Sequence, residues 1–104
     1  MGTRKKSRAI KDLEKIRKRP LTFGDLLYAT RTTAEMTQLE LATKSGTSKA
    51  KICDFEKGRR IPTLELAVRL AQALGHSEAL FLSKIIAEQV NNTGLNFKVE
   101  IKAA

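Results

Sequence analysis

Hydrophobic residues recur every three or four positions through the middle of the chain, the spacing at which they line one face of an α-helix. Thr22 precedes the first such run, and its hydroxyl can cap a helix N-terminus. The run comprises Phe23, Leu26, Leu27 and Thr30. A first helix is therefore predicted to begin directly after Thr22.

A second, short helix is predicted after Thr37. Glu40 follows Thr37 at the spacing of a capping box, in which each side chain accepts a hydrogen bond from the backbone N–H of the other residue. Gly46 can adopt the left-handed conformation that ends a helix. The second helix should therefore begin beside Thr37 and end at Gly46.

A third helix is predicted to follow after only a few residues. Ser48 can cap it, and the spacing places Ile52 and either Phe55 or Glu56 on its inner face. Gly58 is expected to end this helix as Gly46 ends the second.

The fourth helix is the most apolar one and is predicted to form the centre of the core. Pro62 and Thr63 open it, it spans Leu64–Leu74, and Gly75 follows. Its polar residues form a single narrow stripe that should face solvent. They are Glu65, Arg69 and Gln72.

A fifth helix is predicted after Ser77, with Glu78 in the first turn, where the helix dipole favours an acid. Its apolar residues are too numerous for one buried face of a small domain, so part of the helix is expected to form a subunit interface. The helix residues assigned to this interface are Leu82, Ile85, Ile86 and Val90.

The period changes to two after residue 94, which is typical of a half-buried β-strand. The apolar positions of this strand are Leu95, Phe97, Val99 and Ile101. A lone strand cannot pair its backbone groups. The strand over 95–101 is therefore expected to pair with its copy in a second subunit, or with another protein.

The charge is concentrated at the N-terminus. The 104 residues carry a net charge of +9, and residues 1–20 hold nine basic and two acidic residues, which account for +7 of it. Such a block is typical of a tail that contacts a polyanion, or of a solubilising arm. A short helix over about 8–18 is compatible with its weak apolar repeat.

The second and third predicted helices are joined by a tight turn that contains Gly46, which defines a helix-turn-helix. The small side chain of Ala42 allows the two helices to cross closely, and Ile52 fills the gap between them.

These residues, in this order, resemble the DNA-binding domain of lambdoid phage repressors and Cro proteins, the "xenobiotic response element" family of bacterial regulators. The resemblance covers about residues 21–82. Its motif comprises Thr37-Gln38-x-x-Leu41-Ala42, Gly46, Ser48, Ile52, Glu56-x-Gly58 and Pro62. It implies an all-α, five-helix, lambda-repressor-like domain. We assign this domain to residues 21–91, between the basic arm (1–20) and a C-terminal tail (92–104) that contains the predicted strand.

The resemblance also implies that the third helix enters the major groove. Gln38, with Thr37 beside it, would meet a phosphate at the start of the second helix. Ser48, Lys49 and Ala50 would reach base edges. A lysine can donate to guanine O6 and N7, and an alanine offers a methyl group to thymine.

The remaining polar residues of the third helix and its C-terminal end are assigned to the DNA backbone or to one another. Lys51 is expected to meet a phosphate, and the residues expected to clamp the backbone are Lys57, Arg59 and Arg60. Asp54 either accepts from cytosine N4 or pairs with Lys51 or Lys57. Glu56 is expected to be a structural partner of a basic residue such as Arg31.

No arrangement of residues indicates an enzyme. There is no glycine-rich phosphate loop, paired-carboxylate site or cluster of metal ligands, so neither a cofactor nor a metal is expected. His76 is predicted to be an exposed loop residue and Cys53 a small packing residue. One cysteine, no secretory signal and no transmembrane run favour a cytoplasmic location without membrane contact.

The sequence therefore predicts a homodimeric, sequence-specific repressor of double-stranded DNA. One alternative is an antitoxin that represses its own operon and binds a toxin through the arm or the terminal strand. Another is an RNA chaperone or a general nucleoid protein that uses the charge without base recognition.

Overall fold

The computed structural model describes residues 21–93, which form five α-helices and contain no strand. The helices are α1 (Phe23–Thr33), α2 (Gln38–Ser45), α3 (Lys49–Glu56), α4 (Leu64–Leu74) and α5 (Glu78–Asn92). The all-α prediction is confirmed for this part of the chain. The basic arm and the strand predicted over 95–101 lie outside the described residues, and their assignments stay predictions.

Each helix begins at the cap that the sequence predicts. The Thr22 hydroxyl accepts from the Asp25 N–H at 3.2 Å, and the Asp25 carboxylate accepts from the Thr22 N–H at 3.1 Å. Thr37 and Glu40 form the same reciprocal pair, with both bonds at 3.0 Å. The hydroxyls that cap the other three helices belong to Ser48, Thr63 and Ser77.

Glycine ends α2 and α4 as predicted. Gly46 has φ +77° and Gly75 has φ +65°, both in the left-handed region that glycine occupies without steric cost. Gly58 ends α3 in the same way at φ +76°, since the Arg59 N–H donates to the Asp54 carbonyl as the Thr47 N–H does to that of Ala42.

The end of α1 has no glycine. Glu35 takes the left-handed conformation there, with φ +57°, and is the only non-glycine residue of the described segment that does so. Its geometry allows the Met36 N–H to donate to the Arg31 carbonyl at 3.1 Å, the bond that closes a helix C-terminus. A side chain with a Cβ therefore bears steric strain at this turn.

The core is formed by buried side chains from all five helices. The fully enclosed side chains include Leu27, Leu41, Ile52, Leu70 and Phe81. The Phe23 and Phe81 rings meet edge to face, with centroids 5.5 Å apart. The polar stripe of α4 is exposed as predicted.

The fifth helix places one predicted interface residue inside the core. Ile85 is fully buried, and Phe81, one turn earlier, is buried on the same face. Ile85 therefore has no surface to offer a second subunit, and its assignment to a dimer interface is wrong. Leu82, Ile86 and Val90 are half-buried, so they retain some accessible surface.

His76 is not the exposed loop residue that its position after Gly75 predicts. Its side chain is half-buried, and its ring centroid lies 5.6 Å from that of Phe81. The turn at Gly75 causes this, since the His76 N–H donates to the Ala71 carbonyl at 2.8 Å and so directs the residue back over the core.

The first helix approaches the end of α3 very closely. A Cβ placed on Gly24 would lie 2.5 Å from the Phe55 carbonyl oxygen and 2.8 Å from that of Glu56. Only a residue without a side chain fits there.

None of the helices in residues 21–93 is long and apolar enough to cross a membrane.

Candidate nucleic-acid interface

Helices α2 and α3 form the predicted helix-turn-helix. Leu41 and Ala42 of α2 are buried against Ile52 of α3, and Gly46 turns the chain between the two helices. The Thr47 N–H donates to the Ala42 carbonyl at 2.9 Å, which fixes the turn directly to α2. These contacts hold α3 at a defined angle to the rest of the domain.

The N-terminal end of α3 is open to solvent. The residues of its cap and first turn are all exposed, namely Ser48, Lys49, Ala50 and Lys51. Ile52 and Phe55, at 0% and 4% exposure, point into the core. The residues predicted to contact bases are thus accessible, and the buried residues of the same helix attach it to the core.

The electrostatics of this first turn favour an anion. It contains no acidic residue, whereas α1, α2, α4 and α5 each have one in the first turn. The two lysines therefore add their charges to the positive end of the helix dipole, an unfavourable arrangement for the isolated helix. A neighbouring phosphate would relieve that repulsion.

The start of α2 is already engaged within the domain. The Gln38 amide donates from Nε2 to Glu56 Oε1 at 2.9 Å. Hydrogen bonds from the Thr37 backbone and then its side chain hold the pKa of the Glu40 carboxyl below its ordinary value of 4.5. The Glu40 carboxylate therefore lies at the start of α2. The phosphate contact predicted for Gln38 requires that its amide either bind DNA while it is hydrogen-bonded to Glu56 or first release Glu56.

A buried ion pair links the first three helices. Arg31 donates from Nε to Glu56 Oε2, from Nη2 to Glu56 Oε1 at 3.1 Å, and from Nη1 to the Met36 carbonyl at 2.8 Å. The two side chains are only 11% and 5% exposed. The predicted pairing of Glu56 with Arg31 is confirmed. The contact of Gln38 with Glu56 could not be predicted from the sequence, because it depends on how α2 and α3 pack.

The C-terminal end of α3 presents a group of basic residues. Lys57, Arg59 and Arg60 are exposed, as backbone clamps must be. The chain reverses at Gly58, and the Arg59 N–H donates to the Asp54 carbonyl at 2.9 Å. The turn therefore brings the two arginines back alongside α3.

The carboxylate of Asp54 pairs with these arginines and not with the predicted lysines. Asp54 Oδ1 lies 3.6 Å from Arg59 Nη1, and Oδ2 lies 3.4 Å from Arg60 Nε. The interpretation that Lys51 or Lys57 would be its partner is wrong, since the reversal at Gly58 places the arginines nearer. Spacing along a straight helix could not predict this contact.

The other reactive side chains form no recognisable chemical site. Cys53 is a half-buried free thiol on α3. Within residues 21–93, no three metal-ligating side chains of the His, Cys, Asp or Glu type come together. The exposed polar face of α3 and its basic C-terminal end therefore remain the candidate functional surface of the described domain.

Comparison with known proteins gives the same assignment. A family described as "Helix-turn-helix domain" matches residues 22–82. Multiprotein-bridging factor 1 of Candida albicans is 36% identical over 67 residues, which cover 64% of this chain and 44% of that protein. An uncharacterized HTH-type transcriptional regulator of Methanothermobacter thermautotrophicus is 47% identical over 49 residues, which cover 45% of this chain and 71% of that protein.

The chain thus spans less than half the length of the Candida relative. No solved structure matches it significantly. The family match covers more than half of the chain and coincides with the segment that carries the motif and the five helices. The chain therefore belongs to the helix-turn-helix family of transcriptional regulators, of the xenobiotic response element type.

Proposed function

We propose that this protein is a sequence-specific repressor that binds double-stranded DNA by inserting α3 into the major groove. The accessible cap and first turn of α3, Ser48–Lys51, are the observation that carries the proposal. They form the N-terminal end of the helix, ahead of its buried residues Ile52 and Phe55. A recognition helix needs this combination of a free first turn and a fixed inner face.

Each exposed residue of α3 receives a role from its chemistry. Lys49 donates to guanine O6 and N7, and the methyl group of Ala50 contacts thymine. Lys51 neutralises a phosphate at the groove edge. Arg59 and Arg60, with Lys57 beside them, clamp the sugar–phosphate backbone at the other end of the helix. The protein thus acts by binding and carries out no reaction.

The proposed repressor is a homodimer. Leu82, Ile86 and Val90 retain accessible surface on α5, and they are the described part of its subunit interface. Two-fold symmetry then requires an inverted repeat with half-sites about 10 bp apart, one helical turn. Repression follows when the dimer covers a promoter. No named relative and no described contact favours a toxin partner.

A selection of bound sequences from random DNA tests base recognition by α3. The Lys49→Ala variant should still bind DNA but lose its preference at one base pair, because one bidentate contact contributes about 1–3 kcal/mol of discrimination. Lys44→Ala is the matched control, since it removes the same charge from an exposed position of α2. It should leave the selected sequence unchanged.

Two results would contradict the proposal. A wild-type protein that enriches no sequence would show that α3 does not recognise bases. A Lys49→Ala variant that selects the same bases as the wild type would remove Lys49 from base recognition.

A further inference from the structure

Asp54 is the exception to the basic character of the surface around α3. It lies on the third helix between the exposed first turn and the basic C-terminal end, and its carboxylate pairs with Arg59 and Arg60 at 3.6 and 3.4 Å. Lys51 and Lys57 lie on either side of it in the sequence and are exposed. One acid thus holds both arginines of the basic C-terminal end.

These ion pairs add little to the stability of the fold. The arginine side chains are 64% and 63% exposed and that of Asp54 is 27% exposed, and ion pairs in such exposed positions contribute little to the free energy of unfolding. The Gly58 turn is closed by its own backbone bond from Arg59 to Asp54. The carboxylate is therefore not needed to hold the turn together.

A carboxylate and a phosphate present similar oxygens to a guanidinium group. Arginine binds either one through its planar set of N–H donors. A DNA phosphate beside the C-terminal end of α3 would therefore bind the same guanidinium groups, those of Arg59 and Arg60, that Asp54 already pairs with.

On the basis of the proposed DNA-binding function, we propose that Asp54 is an intramolecular phosphate mimic that limits the affinity of the domain for the DNA backbone. It pairs with Arg59 and Arg60 in the free protein, and phosphates must displace it to recruit them. Binding that depends only on charge is weakened by this competition. The Asp54 carboxylate does not compete directly with the contacts that the first turn of α3 makes with DNA.

The competition has a measurable signature in the salt dependence of binding. Each phosphate neutralised contributes about −0.9 to the slope of log K against log salt concentration. Salt also weakens the Asp54 pairs, because they are exposed, and so partly compensates for the loss of phosphate attraction. Removal of the carboxylate should therefore steepen the slope by about 1 to 2 and raise the affinity at low salt.

The test compares Asp54→Asn with Glu78→Gln on duplex DNA of random sequence, at a series of salt concentrations. Both variants remove one negative charge, and Glu78 is an exposed residue of α5, a helix separate from α3. Asp54→Asn should bind about three- to tenfold more tightly than Glu78→Gln in low salt, with the steeper slope. Equal affinities and slopes would overturn the proposal.

A second comparison separates competition for the arginines from general repulsion. In a protein that carries Arg59→Gln and Arg60→Gln, Asp54→Asn should have no larger effect than Glu78→Gln. An undiminished effect in that protein would overturn the proposal, because Asp54 would then act on DNA directly. If the wild-type protein binds no duplex DNA at all, the proposed DNA-binding function itself is wrong. Circular dichroism shows whether each variant is folded.

Discussion

At the scale of single residues, two backbone positions determine how tightly the domain can fold. Gly24 allows α1 to approach the carbonyl oxygens at the end of α3, and Glu35 accepts a left-handed conformation that suits glycine better. At the first position any side chain would force α1 and α3 apart. At the second position, replacement by glycine is expected to increase the free energy of unfolding.

Gly24→Ala should destabilise the domain, although alanine is ordinarily favoured over glycine in a helix. The added Cβ would lie 2.5 Å from the Phe55 carbonyl oxygen, so α1 and α3 must move apart. Overpacking of this kind costs about 1–3 kcal/mol, which denaturant unfolding would detect. A more stable variant would mean that the two helices are farther apart than described.

Glu35→Gly should stabilise the domain by about 0.5–1 kcal/mol. It relieves the strain of a side chain at φ +57°, less the extra freedom that glycine gains in the unfolded chain. Ala34→Gly is the matched control, since Ala34 has φ −78° and gains nothing from glycine. Thermal unfolding should show opposite shifts for the two variants, and shifts of the same sign would rule out backbone strain as the cause.

At the scale of helices, the sequence predicts the start of all five, because a cap depends on residues three positions apart. Thr22, Thr37, Ser48, Thr63 and Ser77 could be identified for that reason. Contacts between helices could be predicted only in part. The sequence predicts that Glu56 pairs with a basic residue such as Arg31, whereas the contact of Gln38 with Glu56 and those of the arginines with Asp54 depend on packing and on the Gly58 turn.

The third helix lacks the acidic residue that α1 and α2 carry three positions after the N-cap. We expect this to lower the stability of the fold and to strengthen DNA binding. Lys51 stands three residues after Ser48, where Glu40 stands after Thr37. Lys51→Glu should complete a capping box and replace a charge that opposes the helix dipole. It should stabilise the fold by about 0.3–1 kcal/mol while it weakens DNA binding.

Unfolding and DNA binding have to be measured on the same Lys51→Glu preparation. Lys44→Glu makes the same charge change in the last turn of α2, where a negative charge opposes the dipole, so it should destabilise the fold. A Lys51→Glu protein that binds DNA as tightly as the wild type would show that the first turn of α3 lies away from the phosphates.

At the scale of the whole molecule, the buried residues of five helices hold one exposed helix face in place. The core joins α2 and α3 at Leu41 and Ile52, and the Arg31–Glu56 pair joins α1 to both. Hydrophobic spacing predicted this core except on α5, where Ile85 proved to be internal because Phe81 and Ile85 share the face toward the core. The net charge of +9 indicated only a polyanion, whereas the arrangement of α3 favours duplex DNA.

The most direct test of base recognition is the affinity of the wild-type protein for its selected DNA sequence relative to random duplex DNA, at one salt concentration. A specific repressor should bind the selected sequence at least about a thousandfold more tightly, and the footprint should show two half-sites about 10 bp apart. Equal affinity for both DNAs would contradict the account, because it would leave the charge of the protein as the sole basis of binding.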